Sequence, residues 1–250
     1  METVRRTAFQ GVINIVRFNW HFYVLALSLV AGLLCAAFFL PFPLSWIFFG
    51  FVLAIISGTF ISLFVSWYVY DHSRLYELNF LKPLQISSSQ TLVNVNAGFD
   101  ETSGILHSKY PDASLAVFDF YDPKKHTEVS IERARKTYPP YPGTKTISTN
   151  AIPLRENSAD VIFLILAAHE IRNQNERVGF FRQLKNALKE DGKIVVVEHQ
   201  RDLQNFFAYT IGFFHFFSNA IWKRTFKDSG LNIVSETKHT PFLSIFILQK

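Results

Sequence analysis

Apolar residues fill one long stretch near the start of the chain. Residues 18–70 contain no Asp, Glu, Lys or Arg, and Pro41 and Pro43 interrupt them near the middle. The two halves, 20–40 and 44–70, each reach the roughly 20 apolar residues that cross a bilayer. We therefore predict two transmembrane helices. A buried hairpin of a water-soluble fold is the alternative, and a cleavable signal peptide fits less well because the stretch is too long.

The connection between the two predicted helices is too short to cross a membrane, so both ends of this hairpin face the same side. Basic side chains flank the hairpin, as is typical of cytoplasmic segments. They are Arg5, Arg6, Arg17, His72, Arg74 and Lys82. We expect the N-terminal segment 1–19 and the chain after residue 70 to lie in the cytoplasm.

Beyond the hairpin, short apolar runs alternate with helical patterns, which indicates a mostly parallel sheet covered by helices. The strand-like runs are 91–95, 114–118, 144–148, 160–166, 194–198, 231–236 and 242–248. The helical patterns are 102–109, 128–137 and 175–189. We expect Asp191 and Gly192 to form the C-cap of the last of these helices, and the final two strands to pair antiparallel at the sheet edge.

Together these patterns predict an α/β fold: a doubly wound, mostly parallel, seven-stranded sheet preceded by a two-helix transmembrane hairpin. The predicted domains are a cytoplasmic N-terminal segment, the hairpin, a linker and an α/β domain. Their boundaries are 1–19, 20–70, 71–90 and 91–250.

Charge and cysteine content limit the binding partners and the kinds of site that the α/β domain can have. Residues 71–250 hold 22 of the 25 basic and 19 of the 20 acidic side chains, which leaves a weak positive balance without a Lys/Arg stripe. That balance favours an anionic membrane surface over a nucleic acid partner. The one cysteine, Cys35, lies in the first span, so a disulfide framework, a cysteine-based zinc site and a thiol nucleophile are excluded from the α/β domain. We predict no metal site and leave the oligomeric state open.

In a doubly wound sheet the ligand lies beyond the carboxyl ends of the strands. The first such loop runs from Asn94 to Thr102 and contains Asn96, Gly98 and Asp100. Gly98 permits close approach of a ligand. The second strand leads to Asp119, at the spacing where an acidic side chain often binds a ribose diol. A solvated strand end or a helix cap is the alternative for Asp119.

The order of these features resembles the class I S-adenosylmethionine-dependent methyltransferases over nearly all of residues 90–250. The segments that carry the resemblance are Asn150-Ala-Ile-Pro-Leu154, Asn157-Ser-Ala-Asp-Val161, Ala167-Ala-His-Glu-Ile171, 181–188 and Asp191-Gly-Lys-Ile194. The resemblance implies a Rossmann-like methyltransferase fold and S-adenosylmethionine as the cofactor.

The resemblance also implies roles for individual residues. Asp119 would bind the ribose hydroxyls, the loop with Asn94, Asn96, Gly98 and Asp100 the methionine moiety, and Asn150 with Ala151 the adenine. Members of the family usually carry an acidic residue where this chain has Asn94, and glycines where it has Asn96 and Asp100. The cofactor loop is therefore atypical at three positions.

Candidate catalytic residues follow the fourth and fifth strands. His169, Glu198 and His199 lie there, and a histidine near the transferred methyl group is suited to act as a general base. The alternative is that Glu170 with Arg172, and Glu198 with Arg201, form ion pairs that only fix the loops. Methyl transfer needs little beyond alignment of donor and acceptor, so a catalytic base is not required.

An aromatic segment, 205–222, follows the candidate catalytic loop and ends at Lys223 and Arg224. A third transmembrane span is rejected because it would separate the last strands from their own sheet. We predict an apolar lid in the membrane interface whose phenylalanines line the acceptor pocket. They are Phe206, Phe207, Phe213, Phe214, Phe216 and Phe217. A helix packed on the sheet is the alternative.

The sequence thus predicts a membrane-anchored methyltransferase that acts on a lipophilic acceptor such as a lipid, a quinone or a long-chain phenolic compound. Membrane lipids are its expected surroundings. Two other functions stay open. One is a catalytically inactive membrane scaffold with the same fold, and the other, ranked last, is a dinucleotide-dependent reductase, which would need a tighter Gly-rich turn than residues 96–98 offer.

Overall fold

The computed structural model describes residues 6–125 and 128–250. Arg5, one of the predicted basic flanks, lies outside the described residues. The helices are α1 (Gln10–Phe18), α2 (Trp20–Phe39), α3 (Leu44–Trp67), α4 (Ser103–Lys109), α5 (Val129–Thr137), α6 (Gln174–Ala187), α7 (Leu203–Tyr209) and α8 (Asn219–Asp228). Short turns of 3-10 helix connect some of them, and a π-helical turn, Tyr68–His72, follows α3.

A single sheet of seven strands forms the centre of the α/β domain, in the order β3-β2-β1-β4-β5-β7-β6. The strands are β1 (Thr91–Asn96), β2 (Ser114–Asp119), β3 (Lys145–Thr146), β4 (Ala159–Ile165), β5 (Leu188–His199), β6 (Asn232–Thr240) and β7 (Leu243–Gln249). The first five pair in parallel, and β7 is antiparallel to both β5 and β6. This confirms the predicted doubly wound fold, in which the strand order reverses between β1 and β4.

Two apolar layers cover the two faces of the sheet. On one face, α6 and α8 bury Phe181, Trp222 and Phe226 against the strands. On the other face, the end of α3 and the segment that follows it pack with α7 in a second apolar cluster. Leu75 and Leu78, in the predicted linker, are fully buried in that cluster. The hairpin is therefore joined to the α/β domain by a packed segment.

The hairpin helices α2 and α3 pack against each other and present apolar side chains outward. Both helical stretches are long and apolar enough to cross a membrane. Of the residues in the apolar 18-residue part of each stretch, 6% are buried inside the protein. A core helix of a water-soluble protein would be mostly buried. The exposure of these two helices therefore disagrees with the buried-hairpin alternative.

Helix α1 is an element that the sequence analysis left as an undefined segment. The Asp71 carboxylate accepts hydrogen bonds from the backbone N–H groups of Gly11 (2.7 Å) and Val12 (3.0 Å), which holds the first turn of α1. At the other end, the Arg133 guanidinium donates to the backbone oxygen of Phe18 (2.6 Å). A carboxylate at the N-terminus and a cation at the C-terminus also match the helix dipole.

The predicted end of α6 is wrong. The helix ends at Ala187, and Asp191 and Gly192 lie within β5 instead of forming a C-cap. Gly192 has another role there, because a Cβ atom on it would lie 2.7 Å from the Leu188 side chain and 3.0 Å from the Ala159 backbone oxygen. The glycine therefore permits a close approach of β4 and β5.

Candidate active site

A cavity of about 230 Å³ lies at the carboxyl ends of β1, β4 and β5, on the edge where the strand order reverses. Its walls come from the loop after β1, the turns after β4 and β5, helix α5, the aromatic segment, and the N-terminal helix α1 with the residues that pack on it. Representative wall residues are Asn96, Ala97, Phe99, Thr102, Leu166, His169, His199, Asn14, Ile15, Phe18, Tyr70 and Phe216. We call this space the central cavity.

A second cavity of about 280 Å³ lies at the ends of β2 and β3, between Tyr121 and Thr149. The predicted adenine residues Asn150 and Ala151 adjoin this second cavity without lining it, and both are exposed. The backbone N–H of Asn150 donates to the Ser148 hydroxyl (3.2 Å). The segment predicted to border the adenine is therefore adjacent to the second cavity, at the carboxyl ends of the strands.

Asp119 lies between the two cavities, at the end of β2, and is 3% exposed. One oxygen accepts from the backbone N–H of Tyr121 (2.8 Å), and the other is bound by the Arg135 guanidinium. Arg135 also donates to the Gly98 backbone oxygen (3.2 Å) and stacks on the Tyr121 ring. The carboxylate predicted to bind ribose is therefore paired with a cation in this conformation.

The loop after β1 is organised by its own side chains. The buried Asn94 amide donates to the hydroxyls of Thr102 (3.0 Å) and Ser103 (2.7 Å). Asp100 accepts from the backbone N–H groups of the same two residues at 3.0 and 2.9 Å, which caps the start of α4. Gly98 adopts a left-handed φ of +101° and lies directly against Tyr121.

Within residues 6–125 and 128–250, two polar atoms of this loop are buried without a hydrogen-bond partner, the Asn96 amide nitrogen and the second Asp100 carboxylate oxygen. Buried polar groups are nearly always hydrogen-bonded, so both atoms lack an expected partner, although Asp100 itself is not a wall residue of either cavity. Asn96 lines the central cavity and offers a donor that suits a carboxylate. Asp100 offers an acceptor that suits an ammonium group. These two groups fit the amino acid end of S-adenosylmethionine, although Asn94 and Asn96 depart from the family's usual residues.

Three of the predicted catalytic residues lie together at the ends of β4 and β5. The Glu198 carboxylate is buried and bonds His169 Nδ1 at 2.6 Å. The predicted alternative ion pairs with Arg172 and Arg201 do not form in the part of the chain that the structure describes, where both guanidinium groups donate to backbone carbonyls. Glu198 therefore orients His169.

A second histidine joins this cluster from the aromatic segment. His169 Nε2 and His215 Nε2 each lie 3.3 Å from the same oxygen of Glu170, and His215 Nδ1 lies 2.9 Å from Glu128. Burial lowers the pKa of His169, but the Glu198 charge and hydrogen bonds to Glu170 and Glu198 outweigh it and raise the pKa well above its usual value. The pKa of His215 is also raised, because its bonds to Glu128 and Glu170 outweigh burial. Unless another cation neutralises Glu170 and Glu198, the raised pKa therefore keeps His169 from acting as a free base at neutral pH.

His199 has a different environment. Burial lowers its pKa to about 4, so the ring is neutral near pH 7. Its Nδ1 lies 3.0 Å from the Asn205 side-chain oxygen and 3.1 Å from the Phe242 backbone oxygen, which assigns the proton to Nδ1. Nε2 then accepts from the Tyr70 hydroxyl (2.8 Å). His199 links the end of the hairpin to the catalytic edge of the sheet.

The six phenylalanines of the predicted lid have three different positions. Phe216 lines the central cavity and stacks on His199 with ring centroids 4.7 Å apart. Phe217 is buried in the core against Trp222, so this part of the segment packs on the sheet as the alternative prediction stated. Phe206, Phe207 and Phe214 are exposed, and Phe213 packs between Phe206 and Phe214. The segment is therefore part wall, part core and part apolar surface.

Sequence reasoning missed α1, Arg135 and His215. A signal for α1 was present, because Asn14 and Phe18, four residues apart, face the cavity while Ile13 and Val16 are exposed. Arg135 lay in a helical pattern without a marked role. His215 was hidden in the aromatic segment, where its approach to Glu170 depends on tertiary structure.

Comparisons with known proteins agree with this geometry. Residues 125–196, which run from the start of α5 into β5, match a family model described as a methyltransferase domain. A SAM-dependent methyltransferase from Aquifex aeolicus is 16% identical, with 76% of this chain and 97% of that chain covered and a TM-score of 0.50. One from Methanosarcina mazei is 13% identical, with 69% and 98% covered and a TM-score of 0.51. A comparison with curated proteins finds no match. At these identities the structural likeness establishes the fold.

Proposed function

We propose that this chain, which belongs to the S-adenosylmethionine-dependent methyltransferases of class I fold, methylates a lipophilic acceptor drawn from the membrane that anchors it. One observation carries the proposal. The cofactor loop after β1 and the membrane-side helix α1 are walls of the same central cavity. A molecule entering from the hairpin side therefore arrives directly at the atoms that would face the cofactor.

The residues that would hold the cofactor come from three loops. Asp119 provides a carboxylate for the ribose hydroxyls once Arg135 moves aside, and Asn96 and Asp100 provide unpaired polar atoms for the methionine moiety. The second cavity provides a space for the adenine beside residues 146–149. S-adenosylmethionine supplies an electrophilic methyl group on a sulfonium when it is bound.

The acceptor side of the cavity is mainly apolar, with Ile15, Phe18, Leu166 and Phe216 in its walls. The acceptor's nucleophilic atom forms a bond to the methyl carbon while the carbon–sulfur bond breaks and its electron pair stays on sulfur. The acceptor's proton passes to water. Alignment in a closed cavity supplies much of the acceleration of such a transfer, and the wall residues provide that alignment.

Several features support anchoring in a membrane. Few residues of the two hairpin helices are buried in the protein, and apolar surface of this length is stable only in a bilayer or against a partner. The aromatic segment adds exposed apolar residues next to α3: Leu203, Phe206, Phe207, Ile211 and Phe214. Lys223 and Arg224, at the end of this segment, are paired with Glu236 and Asp228. The basic flanks of the hairpin favour a cytoplasmic α/β domain.

The test separates cofactor binding from acceptor delivery. The full-length protein in detergent is titrated with S-adenosylhomocysteine, and turnover is then measured with lipophilic acceptors in mixed micelles. Replacing the exposed Phe207 and Phe214 together with Ser is expected to abolish turnover of lipophilic acceptors and leave cofactor affinity unchanged. The control is a substitution at an exposed apolar residue outside the aromatic segment, Val234→Ser in β6. Equal loss of turnover in both variants, or loss of cofactor binding in the first, contradicts the proposal.

A further inference from the structure

We propose that His169, Glu170 and His215 bind a divalent transition-metal ion of the zinc type at the edge of the central cavity. One ligand atom from each residue lies within 4.8 Å of the other two. His169 and Glu170 belong to the turn after β4, and His215 belongs to the aromatic segment. The sequence predicted no metal site, because these residues lie on separate loops and the α/β domain has no cysteine.

Two of the three distances between ligand atoms match a tetrahedral ion, and the third is no longer than 4.8 Å. Both imidazole Nε2 atoms are 3.3 Å from Glu170 Oε1. Ligand atoms at about 2.0–2.1 Å from a tetrahedral zinc ion lie about 3.3 Å from one another. Two His nitrogens and one carboxylate oxygen are also a known ligand set of catalytic zinc, which keeps its fourth position open.

The outer contacts of the two histidines match a metal site as well. A histidine that binds a metal through Nε2 usually donates its Nδ1–H to a carboxylate or a carbonyl. His169 Nδ1 is 2.6 Å from Glu198, and His215 Nδ1 is 2.9 Å from Glu128. Both rings therefore present Nε2 to the same oxygen while a separate carboxylate holds the opposite side of each ring.

Arg172 fixes the two loops relative to each other. Its guanidinium donates to the backbone oxygens of His169 (3.2 Å) and His215 (2.5 Å). A salt bridge from Arg172 to Glu170 is absent from the described residues, so its charge does not occupy the carboxylate oxygen between the imidazoles. Arg172 is a positioning residue that brings the ligands together without replacing the ion.

A divalent cation fits the charge of the cluster. Glu128, Glu170 and Glu198 place three carboxylates around two imidazoles, and Glu198 is 1% and Glu170 6% exposed. Buried charges are costly unless they are paired or bind a metal. One divalent ion provides the positive charge that two protonated imidazoles would otherwise have to provide.

The position of the ion narrows the substrate class, and this step rests on the proposed function. His169 and Glu170 line the central cavity, so the open coordination position adjoins the acceptor. A divalent ion there would act as a Lewis acid toward an acceptor oxygen. The inferred acceptor is therefore a lipophilic molecule with a hydroxyl group, and transfer forms an O–CH₃ bond while the hydroxyl proton passes to water.

The experiment measures metal content, with S-adenosylhomocysteine binding as a second readout. The full-length protein in detergent is stripped with chelator, dialysed against Zn²⁺ or Co²⁺, and analysed by plasma mass spectrometry. We expect about one ion per chain, with the comparatively strong visible d–d absorption of Co²⁺ in a tetrahedral site. His215→Ala is expected to lose the ion, whereas His107→Gln, a change of a histidine on the surface of α4, is expected to keep it.

Two further variants make the result specific. His215→Cys replaces the ligand with a thiolate, so the metal is retained and the Co²⁺ spectrum gains sulfur-to-metal charge transfer. Glu198→Gln removes the carboxylate behind His169 and is expected to weaken metal affinity by about 10- to 100-fold. A merely structural cluster would produce neither effect.

The outcomes separate this inference from the proposed function. Absence of stoichiometric metal in the wild type, or equal metal in the wild type and His215→Ala, overturns the metal site. If that result comes with normal S-adenosylhomocysteine binding, the proposed methyl transfer stands without a metal. Metal binding that is lost in His215→Ala, in a protein that does not bind S-adenosylhomocysteine, supports the site and contradicts the methyl transfer.

Discussion

Asp119 and Arg135 form a pair that has to separate if Asp119 binds the ribose as proposed. The Asp119 carboxylate is almost wholly buried and bound by Arg135, which also reaches the Gly98 backbone oxygen. A ribose diol needs the same carboxylate oxygens. The guanidinium is about one third exposed, so it has room to leave toward solvent. Cofactor binding and this ion pair therefore compete for one group.

The competition gives opposite expectations for two substitutions. Asp119→Ala removes the ribose acceptor and is expected to weaken S-adenosylhomocysteine binding by roughly 1 to 3 kcal/mol. Arg135→Ala removes the competitor and is expected to tighten binding by up to about fivefold, because a partly exposed pair is worth about 1 kcal/mol. Calorimetric titration of both variants checks this, and weaker binding in both would assign Arg135 to the cofactor's own contacts.

His199 gives the protein a defined dependence on pH. Its pKa is lowered to about 4 in the folded state, against about 6.5 in the unfolded chain. The unfolded state therefore binds more protons between these values, so the contribution of His199 to stability is complete above pH 6.5 and is lost as pH falls toward 4. The loss is expected to reach about 3 kcal/mol.

The check is the free energy of unfolding in detergent from pH 7 to pH 4. Histidines with raised pKa values, His169 and His215, contribute with the opposite sign, so the wild-type curve alone is not diagnostic. The comparison with His199→Gln isolates this residue. The variant is expected to lose less stability over the same range, and identical slopes in the two proteins would mean that His199 is not held neutral.

At the scale of elements, the sequence predicted the sheet and the two hairpin helices. It did not predict helix α1, which lines the central cavity. Strands β1, β4 and β5 each contain a short apolar run, so the sequence predicted that they exist. The end of α6 was misplaced because Gly192 was interpreted as a cap, whereas its lack of a side chain serves the contact with Leu188 and Ala159. Helix α1 depends on Asp71, 60 residues away, and no local pattern predicts that contact.

The candidate site was predictable to the same degree. Asp119, His169, Glu198 and His199 lie at strand ends, where the fold brings ligand-binding residues together. His215 could not be predicted in this way, because it is not at a strand end. It contacts Glu170 only because residues 210–217 fold back over the turn after β4. Phe217 was predicted in the lid and is buried in the core, since an aromatic run does not show which of its members face the sheet.

The docking of α1 is testable with a matched pair of glycines. A Cβ atom on Gly11 would clash with the Tyr70 side chain, whereas one on Gly179, in α6, would meet nothing within 4 Å. Gly11→Ala is expected to release α1 from the cavity and increase hydrogen exchange of its amides. Gly179→Ala is expected to stabilise its helix by up to about 1 kcal/mol and leave exchange in α1 unchanged. Unchanged exchange in Gly11→Ala would contradict close packing of α1.

At the scale of the whole molecule, the central cavity is lined by segments that lie far apart in the sequence. Helix α1 and the residues after the hairpin form one side of it, the loop after β1 forms another, and the turns after β4 and β5 provide polar groups. His199 connects two of these regions through Tyr70. The segments that flank the hairpin on both sides are therefore part of the cavity wall, and their removal is expected to open the cavity.

The most direct test follows the methyl group itself. The full-length protein is reconstituted in vesicles made from a total lipid extract and supplied with S-adenosylmethionine labelled in its methyl carbon. Label is then measured in the organic and aqueous phases after extraction, with Asp119→Ala as the control. We expect label in the organic phase only when the protein is present, and we expect this label to fall sharply in Asp119→Ala. Label confined to water-soluble products, or equal organic label in both proteins, would contradict methyl transfer to a lipophilic acceptor.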